Sequence, residues 1–244
     1  MRAIILAAGI GNRIAAAHSG PKALLRFAGR TLLERHLEIL RAMGIDDIVI
    51  GTGFRDDDIA LELRRLGASG VRLVHNPLFR EGSVVTLWSL AEAVTAGGDV
   101  LVMDADVLYD RRMIERLVAS RHANCLLMDR GFVPGDEPVK ICLAGNRIVE
   151  FRKKVEVAHD TVGESVGFFR FDEAGARALI EAARPYVEGG RLAAPHEEAI
   201  RDMVLAAAPG VFGVEDVTGL PWLEIDFPDD VARAERDVLP RLVD

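Results

Sequence analysis

Short apolar runs alternate with amphipathic stretches through the first half of the chain. The runs are rich in β-branched residues, which is typical of buried strands, whereas the stretches between them place apolar residues three or four positions apart, which is typical of helices. The predicted strands cover 2–6, 46–50, 71–75, 99–103 and 123–128, and the predicted helices cover 31–43, 55–66, 84–94 and 111–119. This alternation predicts an α/β fold with a doubly wound, mostly parallel sheet, whose ligands bind beyond the carboxyl ends of the strands.

The pattern of predicted strands and helices changes after Asp129, where glycine and proline become frequent. The second half predicts strands at 139–143, 147–151, 165–171, 211–215 and 222–226, helices at 173–187 and 196–207, and a terminal helix from Pro228. These short strands form a small β-rich elaboration. Because no long polar linker interrupts the chain, we expect a single domain over 1–244, with a core of 1–130 and an elaboration of 131–244.

Composition excludes several classes of function. The 244 residues carry a net charge of −8 without a Lys/Arg-rich stripe, which argues against a nucleic-acid or anionic-membrane surface. The apolar N-terminus is too short to span a bilayer, so no membrane insertion is expected. The two cysteines fit reduced thiols in the cytoplasm, and neither they nor the six histidines show zinc-ligand spacing.

A glycine-rich segment follows the first predicted strand and carries the strongest chemical signal. Small residues let backbone N–H groups approach an anion closely, and the positive charges of Arg13 and Lys22 suit a triphosphate. The segment is not a dinucleotide fingerprint, because Ile14 stands where a third glycine is needed, and no P-loop motif occurs. The loop residues are Leu6, Ala7, Ala8, Gly9 and Gly11.

Two pairs of carboxylates stand at predicted strand ends. Asp104 and Asp106 follow the fourth strand, and Glu224 and Asp226 lie in a late strand. Mg²⁺ prefers oxygen ligands and usually takes one or two carboxylates together with phosphate oxygens and water. The pairs therefore predict a magnesium site at the carboxyl edge of the sheet.

The glycine-rich segment with its following Pro-Lys resembles the signature of the nucleotidyltransferase superfamily, which activates sugar and alcohol phosphates with nucleoside triphosphates. Other segments are similar to the branch that contains phosphocholine and 2-aminoethylphosphonate cytidylyltransferases. They are Thr52-Gly53-Phe54, Asn76–Leu90, Lys140, Phe151–Val155 and Gly163–Gly167. The resemblance covers nearly the whole chain and implies a Rossmann-like nucleotidyltransferase fold, with nucleotide bound by 1–130 and acceptor by 131–244.

The resemblance also implies roles for individual residues. Arg13 and Lys22 would steady the departing pyrophosphate, and Lys153, or Lys154 in its place, would neutralise the attacking or the α-phosphate. Asp106 and Asp226 would bind Mg²⁺, with Asp104 and Glu224 as orienting or second-metal groups. Thr52, Gly53 and Ser83 would read cytosine, although Ser83 can also simply cap a helix. Residues assigned to the acceptor are Lys140, Glu164, His196, Glu197, Glu198 and Glu224.

The start of the late helix bears on the acceptor. It reads Ala194-Pro195-His196-Glu197-Glu198 and lacks the Tyr or Trp that surrounds a quaternary ammonium in the phosphocholine enzymes. We therefore expect no aromatic cage, and Glu197 or Glu198 can instead pair with a primary ammonium, which donates hydrogen bonds. Alternatively, both are exposed helix-start acids favoured by the helix dipole.

These observations together predict a Mg²⁺-dependent cytidylyltransferase that moves CMP from CTP to 2-aminoethylphosphonate, phosphoethanolamine or a phosphocholine-like acceptor, with release of pyrophosphate. A sugar-1-phosphate nucleotidyltransferase is the alternative enzyme, and a nucleotide-binding regulator without turnover is the alternative outside enzymes. The expected partners are CTP and the small acceptor, and a homodimer is compatible with the sequence.

Overall fold

A computed structural model describes residues 1–14, 18–135 and 137–243. Its strands are β1 Arg2–Leu6, β2 Arg26–Phe27, β3 Arg30–Thr31, β4 Asp47–Thr52, β5 Arg72–His75, β6 Val100–Asp104, β7 Val107–Tyr109, β8 Asn124–Asp129, β9 Lys140–Ala144, β10 Arg147–Arg152, β11 Thr161–Phe171, β12 Phe212–Asp216 and β13 Trp222–Glu224. Its helices are α1 Leu32–Ala42, α2 Asp56–Arg65, α3 Ser83–Ser89, α4 Ala91–Val94, α5 Arg112–Ala119, α6 Glu173–Glu188, α7 His196–Ala206 and α8 Pro228–Arg233.

Four parallel strands in the order β6-β1-β4-β5 form the central part of the main sheet. The register pairs Leu6, the last residue of β1, with Asp104 on one side and with Gly51 on the other. The glycine-rich loop after β1 therefore leaves the sheet next to the acidic segment after β6. This arrangement confirms the predicted α/β fold class.

The long strand β11 joins the second half to this sheet. It runs antiparallel to β6 and also pairs with β8 and β9, while β10 and β12 extend the sheet further. The turn between β9 and β10 contains Gly145 with a φ of +59°, a conformation that glycine adopts without strain. The expected division into 1–130 and 131–244 stays a prediction.

Both faces of the sheet are covered, because successive residues of a strand point to opposite sides. Ile4 packs in a cluster with residues of α3, α6 and α7, and Ile5 packs in a second cluster with residues of α1, α2 and α5. Both side chains are fully buried, and each burial stabilises the fold by roughly 1.5–3 kcal/mol. The strand ends that carry the acids are thus held on a rigid platform.

The structure differs from the predicted elements in several places. The helix predicted at 84–94 is divided into α3 and α4, and the hydroxyl of Ser89 donates to the carbonyl of Thr86 just before the break. The two-residue strands β2 and β3 and the short strand β7 were not predicted. The terminal helix is α-helical only to Arg233, and then a π-helical turn and a 3₁₀ turn follow.

No helix among the described residues is both long enough and apolar enough to cross a bilayer.

Candidate active site

Two strand ends bring three carboxylates together. The short strand β7 pairs with β13, so that Val107 lies opposite Glu224, and the N–H of Ile225 donates to the carbonyl of Asp106 over 2.9 Å. These contacts gather one carboxylate oxygen each from Asp106, Glu224 and Asp226 within 4.8 Å of one another. The donor set consists only of carboxylates, which are the protein ligands that Mg²⁺ prefers.

The ammonium of Lys22 lies between two of these carboxylates. It donates to Asp106 over 2.9 Å and to Asp226 over 2.6 Å, and its side chain is only 14% exposed. Burial alone lowers the pKa of Lys22, but the two carboxylates together outweigh it, so the pKa lies above its usual value. Glu224 is solvent-accessible, yet the surrounding cleft partly desolvates its carboxyl, and this effect with Asp106 and Asp226 raises its pKa.

The glycine-rich loop forms the wall of a cavity of about 370 Å³ beside this cluster. Gly11 has a φ of +68°, and a Cβ there would approach the side chain of Lys22 to 3.1 Å, so glycine suits this position on both counts. The lining residues are Leu6, Ala7, Gly9, Gly11, Asn12, Arg13, Lys22, Ala23, Ala105 and Asp106. The structure thus brings most of the predicted loop residues to one concave surface next to the carboxylates.

Gly53 supports the loop from the neighbouring strand end. A Cβ at Gly53 would lie 2.2 Å from Cβ of Phe79 and 3.0 Å from the carbonyl oxygen of Ala8, which accepts from the N–H of Phe54. Thr52 is only 1% exposed, and its hydroxyl donates to the carbonyl of Val74 at the long distance of 3.5 Å. Gly53 therefore lies against the loop, whereas Thr52 is buried and bonds to β5.

A larger cleft of about 540 Å³ adjoins the first cavity. Arg13 lines both. Within the cleft Lys153 adds a second cation, and one oxygen of Glu137 accepts from Arg13 over 3.2 Å and from Lys153 over 3.1 Å. The same carboxylate oxygen therefore joins the loop that follows β1 to the segment that follows β10. Lys153, not Lys154, is the lysine of this pair that lines the cleft.

His196, at the start of α7, is the centre of a buried network. Its backbone N–H donates to Oγ of Ser83 over 2.8 Å. In the ring, Nδ1 lies 3.0 Å from Glu197 and Nε2 lies 3.9 Å from Asp104. Nε2 has no hydrogen-bond partner among the described residues. Ser83 itself begins α3, and the N–H of the next residue, Val84, donates to the carbonyl of Ala194. Ser83 thus ties α3 to α7 in addition to lining the cleft.

Burial and charge shift three pKa values in this network. Burial lowers the pKa of His196, but Glu197 and Asp104 outweigh it and raise the pKa to about 9. Burial raises the pKa of Glu197, but the His196 cation prevails and holds it at about 2. Burial, with Glu197 and Asp106, raises the pKa of Asp104 to about 8 against the opposing effect of His196. His196 is therefore a cation beneath an acidic cleft at neutral pH.

Another wall of the cleft is acidic and aromatic, and of its residues only Glu164 was predicted from the sequence. Asp129 and Glu164 are paired on β8 and β11, and the indole N–H of Trp222 donates to Asp129 over 2.8 Å. Burial, with the nearby Asp129, raises the pKa of Glu164 to about 7. Phe132, Trp222 and Phe227 also line the cleft. The start of α7 itself carries no Tyr or Trp, and these aromatic side chains come from segments far from it in the sequence. The expectation that no aromatic cage surrounds the acceptor stays a prediction.

Three residues assigned to the acceptor do not line the cleft, namely Lys140, Glu198 and the buried His196. Both oxygens of Glu198 accept from Arg152 at 3.0 Å, and the ammonium of Lys140 donates to the carbonyls of Gly135 and Lys153 at 2.7 Å. Lys140 thus holds the segment that carries Lys153, and Glu198 fastens α7 to β10.

Comparison with known proteins adds a family and several relatives. The MobA-like NTP transferase domain matches residues 3–154. A bifunctional IPC transferase and DIPP synthase of Rubrobacter xylanophilus is 31% identical over 97% of this chain and 52% of its own length. A CMP-5'-(3-aminopropyl)phosphonate synthase of Streptomyces rubellomurinus is 27% identical over 96% of this chain and 38% of its own length. The chain thus spans about half the length, or less, of these curated relatives.

The fold is shared with solved structures. The inositol-1-phosphate CTP transferase from T. maritima superposes with a TM-score of 0.75 at 19% identity, covering 98% of this chain and 95% of that chain. At this identity the likeness establishes the fold. The glycine-rich loop and the acidic strand ends described above therefore lie in a fold of the nucleotidyltransferase type.

Proposed function

We propose, because the chain belongs to the MobA-like NTP transferase family, that it transfers CMP from CTP to a phosphate or phosphonate oxygen of a small acceptor and releases pyrophosphate. The observation that carries this proposal is the cluster of Lys22, Asp106 and Asp226, which stands where the loop cavity meets the larger cleft. A triphosphate in the cavity and an acceptor in the cleft would meet at this cluster.

The loop cavity suits the triphosphate. Backbone N–H groups of the glycine-rich loop and the charges of Arg13 and Lys22 provide donors for an anion in a chain whose net charge is −8. Both cations are held by carboxylates, with Arg13 over 2.8 Å and Lys22 over 2.6 Å from Asp226. Such fixed donors stabilise developing negative charge without having to reorganise during the reaction.

The three carboxylates Asp106, Glu224 and Asp226 fit a magnesium ion. The structure already holds a cation, the Lys22 ammonium, between two of them, so the local field favours positive charge. When bound, Mg²⁺ neutralises phosphate charge and orients the phosphate groups. Asp106, Glu224 and Asp226 would hold the ion, and Lys22 beside them would contact the triphosphate.

The chemical step needs no covalent enzyme intermediate. An acceptor oxygen forms a bond to the α-phosphorus of CTP while the bond between that phosphorus and the α,β-bridging oxygen breaks, and pyrophosphate carries the electron pair away. Lys153 and Arg13 line the cleft, where both now bind Glu137. The approaching acceptor anion takes the place of Glu137, and the two cations neutralise its charge. The remaining barrier falls mainly because two anions are held in line.

We further propose that the acceptor carries a primary ammonium. Glu197, Glu164 and Asp129 line the cleft, and Glu197 stays ionised because its pKa is about 2. A primary ammonium donates hydrogen bonds to such carboxylates, whereas a quaternary ammonium, which has no N–H, does not. Aromatic side chains such as Trp222 also line the cleft, and aromatic faces attract a quaternary ammonium. Phosphocholine is therefore the competing acceptor to be measured.

We propose a cytoplasmic location because the two cysteines are reduced. Cys125 and Cys142 are both free and buried, and burial raises the pKa of the Cys125 thiol to about 11. Such thiols are structural and inert.

The decisive experiment is a pyrophosphate-release screen with Mg²⁺ at neutral pH. Four nucleoside triphosphates are tested against 2-aminoethylphosphonate, phosphoethanolamine, phosphocholine, inositol 1-phosphate and several sugar 1-phosphates. The proposal expects release with CTP and a small amino-phosphonate or amino-phosphate. Release only with a sugar or inositol phosphate would show that the acceptor belongs to that class instead. Release with no pair would contradict the proposed enzymatic activity and favour a nucleotide-binding regulator.

A further inference from the structure

A histidine that takes no part in the proposed chemistry lies directly beneath the carboxylate cluster. His36 in α1 is completely buried, and its Nε2 lies 3.3 Å from the carbonyl oxygen of Ala105, while its Nδ1 lies 3.2 Å from the hydroxyl of Tyr109. Burial lowers the pKa of His36 to about 4, although the contact with Ala105 opposes this shift. The ring is therefore neutral at neutral pH and carries one N–H.

The two partners determine which nitrogen holds that hydrogen. The carbonyl of Ala105 can only accept, so Nε2 must donate, and Nδ1 must then accept from the hydroxyl of Tyr109. The result is a directed chain in which Tyr109 donates to His36 and His36 donates to Ala105. All its polar groups are buried, so each lost hydrogen bond leaves an unsatisfied group.

The hydrogen bonds from Tyr109 through His36 to Ala105 join both sides of the turn between β6 and β7. Ala105 is the residue between Asp104 and Asp106, and Tyr109 ends β7, where it pairs with Trp222 of β13. The ring of Tyr109 also packs edge-on against Phe168, with 4.6 Å between ring centroids. His36 is thus the point at which α1 contacts the turn that carries the acids.

We infer that His36 is a positioning residue, which fixes the Ala105–Asp106 peptide so that Asp106 faces Glu224 and Asp226 in the geometry that a divalent cation requires. This inference rests on the proposed function, because it assigns the carboxylate cluster to a metal. Groups that orient metal ligands typically change metal affinity about 10- to 100-fold when they are removed.

The test is a Mn²⁺ titration of the purified protein, followed by electron paramagnetic resonance without nucleotide. His36→Leu fills the site but removes the donor, and we expect its Mn²⁺ Kd to rise by about 10-fold or more. His36→Gln keeps an N–H near the Nε2 position and should recover most of the affinity. Leu40→Val is the matched control, since it perturbs a buried position of α1 one turn away and removes no hydrogen-bonding group, and its Kd should stay near the wild-type value.

Tyr109→Phe keeps the ring packing and removes only the hydroxyl that fixes the histidine tautomer. It should weaken Mn²⁺ binding by an intermediate factor. If His36→Leu does not fold, Tyr109→Phe decides alone, and an unchanged Kd overturns the inference.

The outcomes separate this inference from the proposed function. Equal Mn²⁺ affinity in folded His36→Leu and Leu40→Val overturns the positioning role, even if CMP transfer persists. A wild-type protein that binds no Mn²⁺ overturns it as well. A wild-type protein that binds Mn²⁺ with the expected order of variants, but transfers no nucleotide, supports the inference and contradicts the proposed function.

Discussion

The ammonium of Lys22 lies 2.6 Å from Oδ1 of Asp226, although 204 positions separate the two residues in the chain. Lys22 follows the glycine-rich loop near the N-terminus, and Asp226 follows the last strand of the fold. Their side chains are 14% and 16% exposed, so the pair is largely shielded from water. The contact joins the N-terminal loop to the C-terminal part of the fold and places a cation among the acids.

Replacing Lys22 by Met should therefore have two measurable effects. Loss of the charge should reduce kcat/KM for CTP by roughly 10²- to 10³-fold, as for one lost electrostatic donor. Without the ammonium, Asp106 and Asp226 repel each other, so Mg²⁺ should raise the Tm of Lys22→Met more than that of the wild type. Thermal unfolding with and without Mg²⁺ measures the second effect. Unchanged CTP kinetics together with equal Mg²⁺ responses would show that the loop cavity binds something else.

Asp106→Asn should abolish turnover while leaving the fold intact, because the amide keeps the shape of the side chain but removes the charge that the proposed metal requires. Asp99→Asn is the matched control. Asp99 immediately precedes β6, at the opposite end of the strand from Asp104, and pairs with Arg170 over 2.8 Å. The control should keep near-native kcat. A folded Asp106→Asn variant with near-native kcat would refute the assignment of the cluster.

The proximity of Asp106 to the glycine-rich loop was predictable because it follows a general rule for parallel sheets, whereas Glu224 and Asp226 reach the cluster through the antiparallel pairing of β13 with β7. Acids after β6 and glycines after β1 had to meet, since neighbouring parallel strands end at the same edge. The fold class followed from the same alternation of strands and helices. The site roles that the sequence suggests for these residues stay predictions until the variants are measured.

Several contacts of the site had no local signal in the sequence. Asp129 and Glu164 become neighbours only through the pairing of β8 with β11, and His36 reaches the site only through α1. Glu197 and Glu198 look alike in sequence, but adjacent helical residues point about 100° apart, so one lines the cleft and the other binds Arg152. The strand β7 is only three residues long, too short to predict from alternation.

The buried histidine of the acidic network should make stability depend on pH. The pKa of His196 is raised from 6.5 to about 9, so its contribution to stability is fully present below pH 6.5 and is lost as the pH rises through 9. At about 1.4 kcal/mol per pKa unit, the contribution is at most roughly 3 kcal/mol. Urea unfolding of the wild type and of His196→Gln between pH 6 and 10 measures it. We expect the two free energies of unfolding to converge towards high pH, and a constant difference would contradict the charged histidine.

The acceptor preference should depend on Glu197 but not on its neighbour. With a primary ammonium against Glu197, kcat/KM for phosphoethanolamine should exceed that for phosphocholine by roughly 10- to 200-fold, the range that corresponds to about 1–3 kcal/mol. Glu197→Gln should reduce this ratio, and Glu198→Gln should leave it unchanged, because Glu198 is engaged with Arg152. Phosphocholine as the better acceptor, with no response to Glu197→Gln, would refute the ammonium contact.

The most direct measurement of the central claim follows the phosphorus atoms of CTP. The protein is incubated with Mg²⁺, the best acceptor from the screen, and CTP labelled with ³²P at either the α or the γ position. The account predicts that the α label enters a product containing both CMP and the acceptor, while the γ label leaves as pyrophosphate. An α label found only in free CMP, or a γ label transferred to the acceptor, would contradict nucleotidyl transfer.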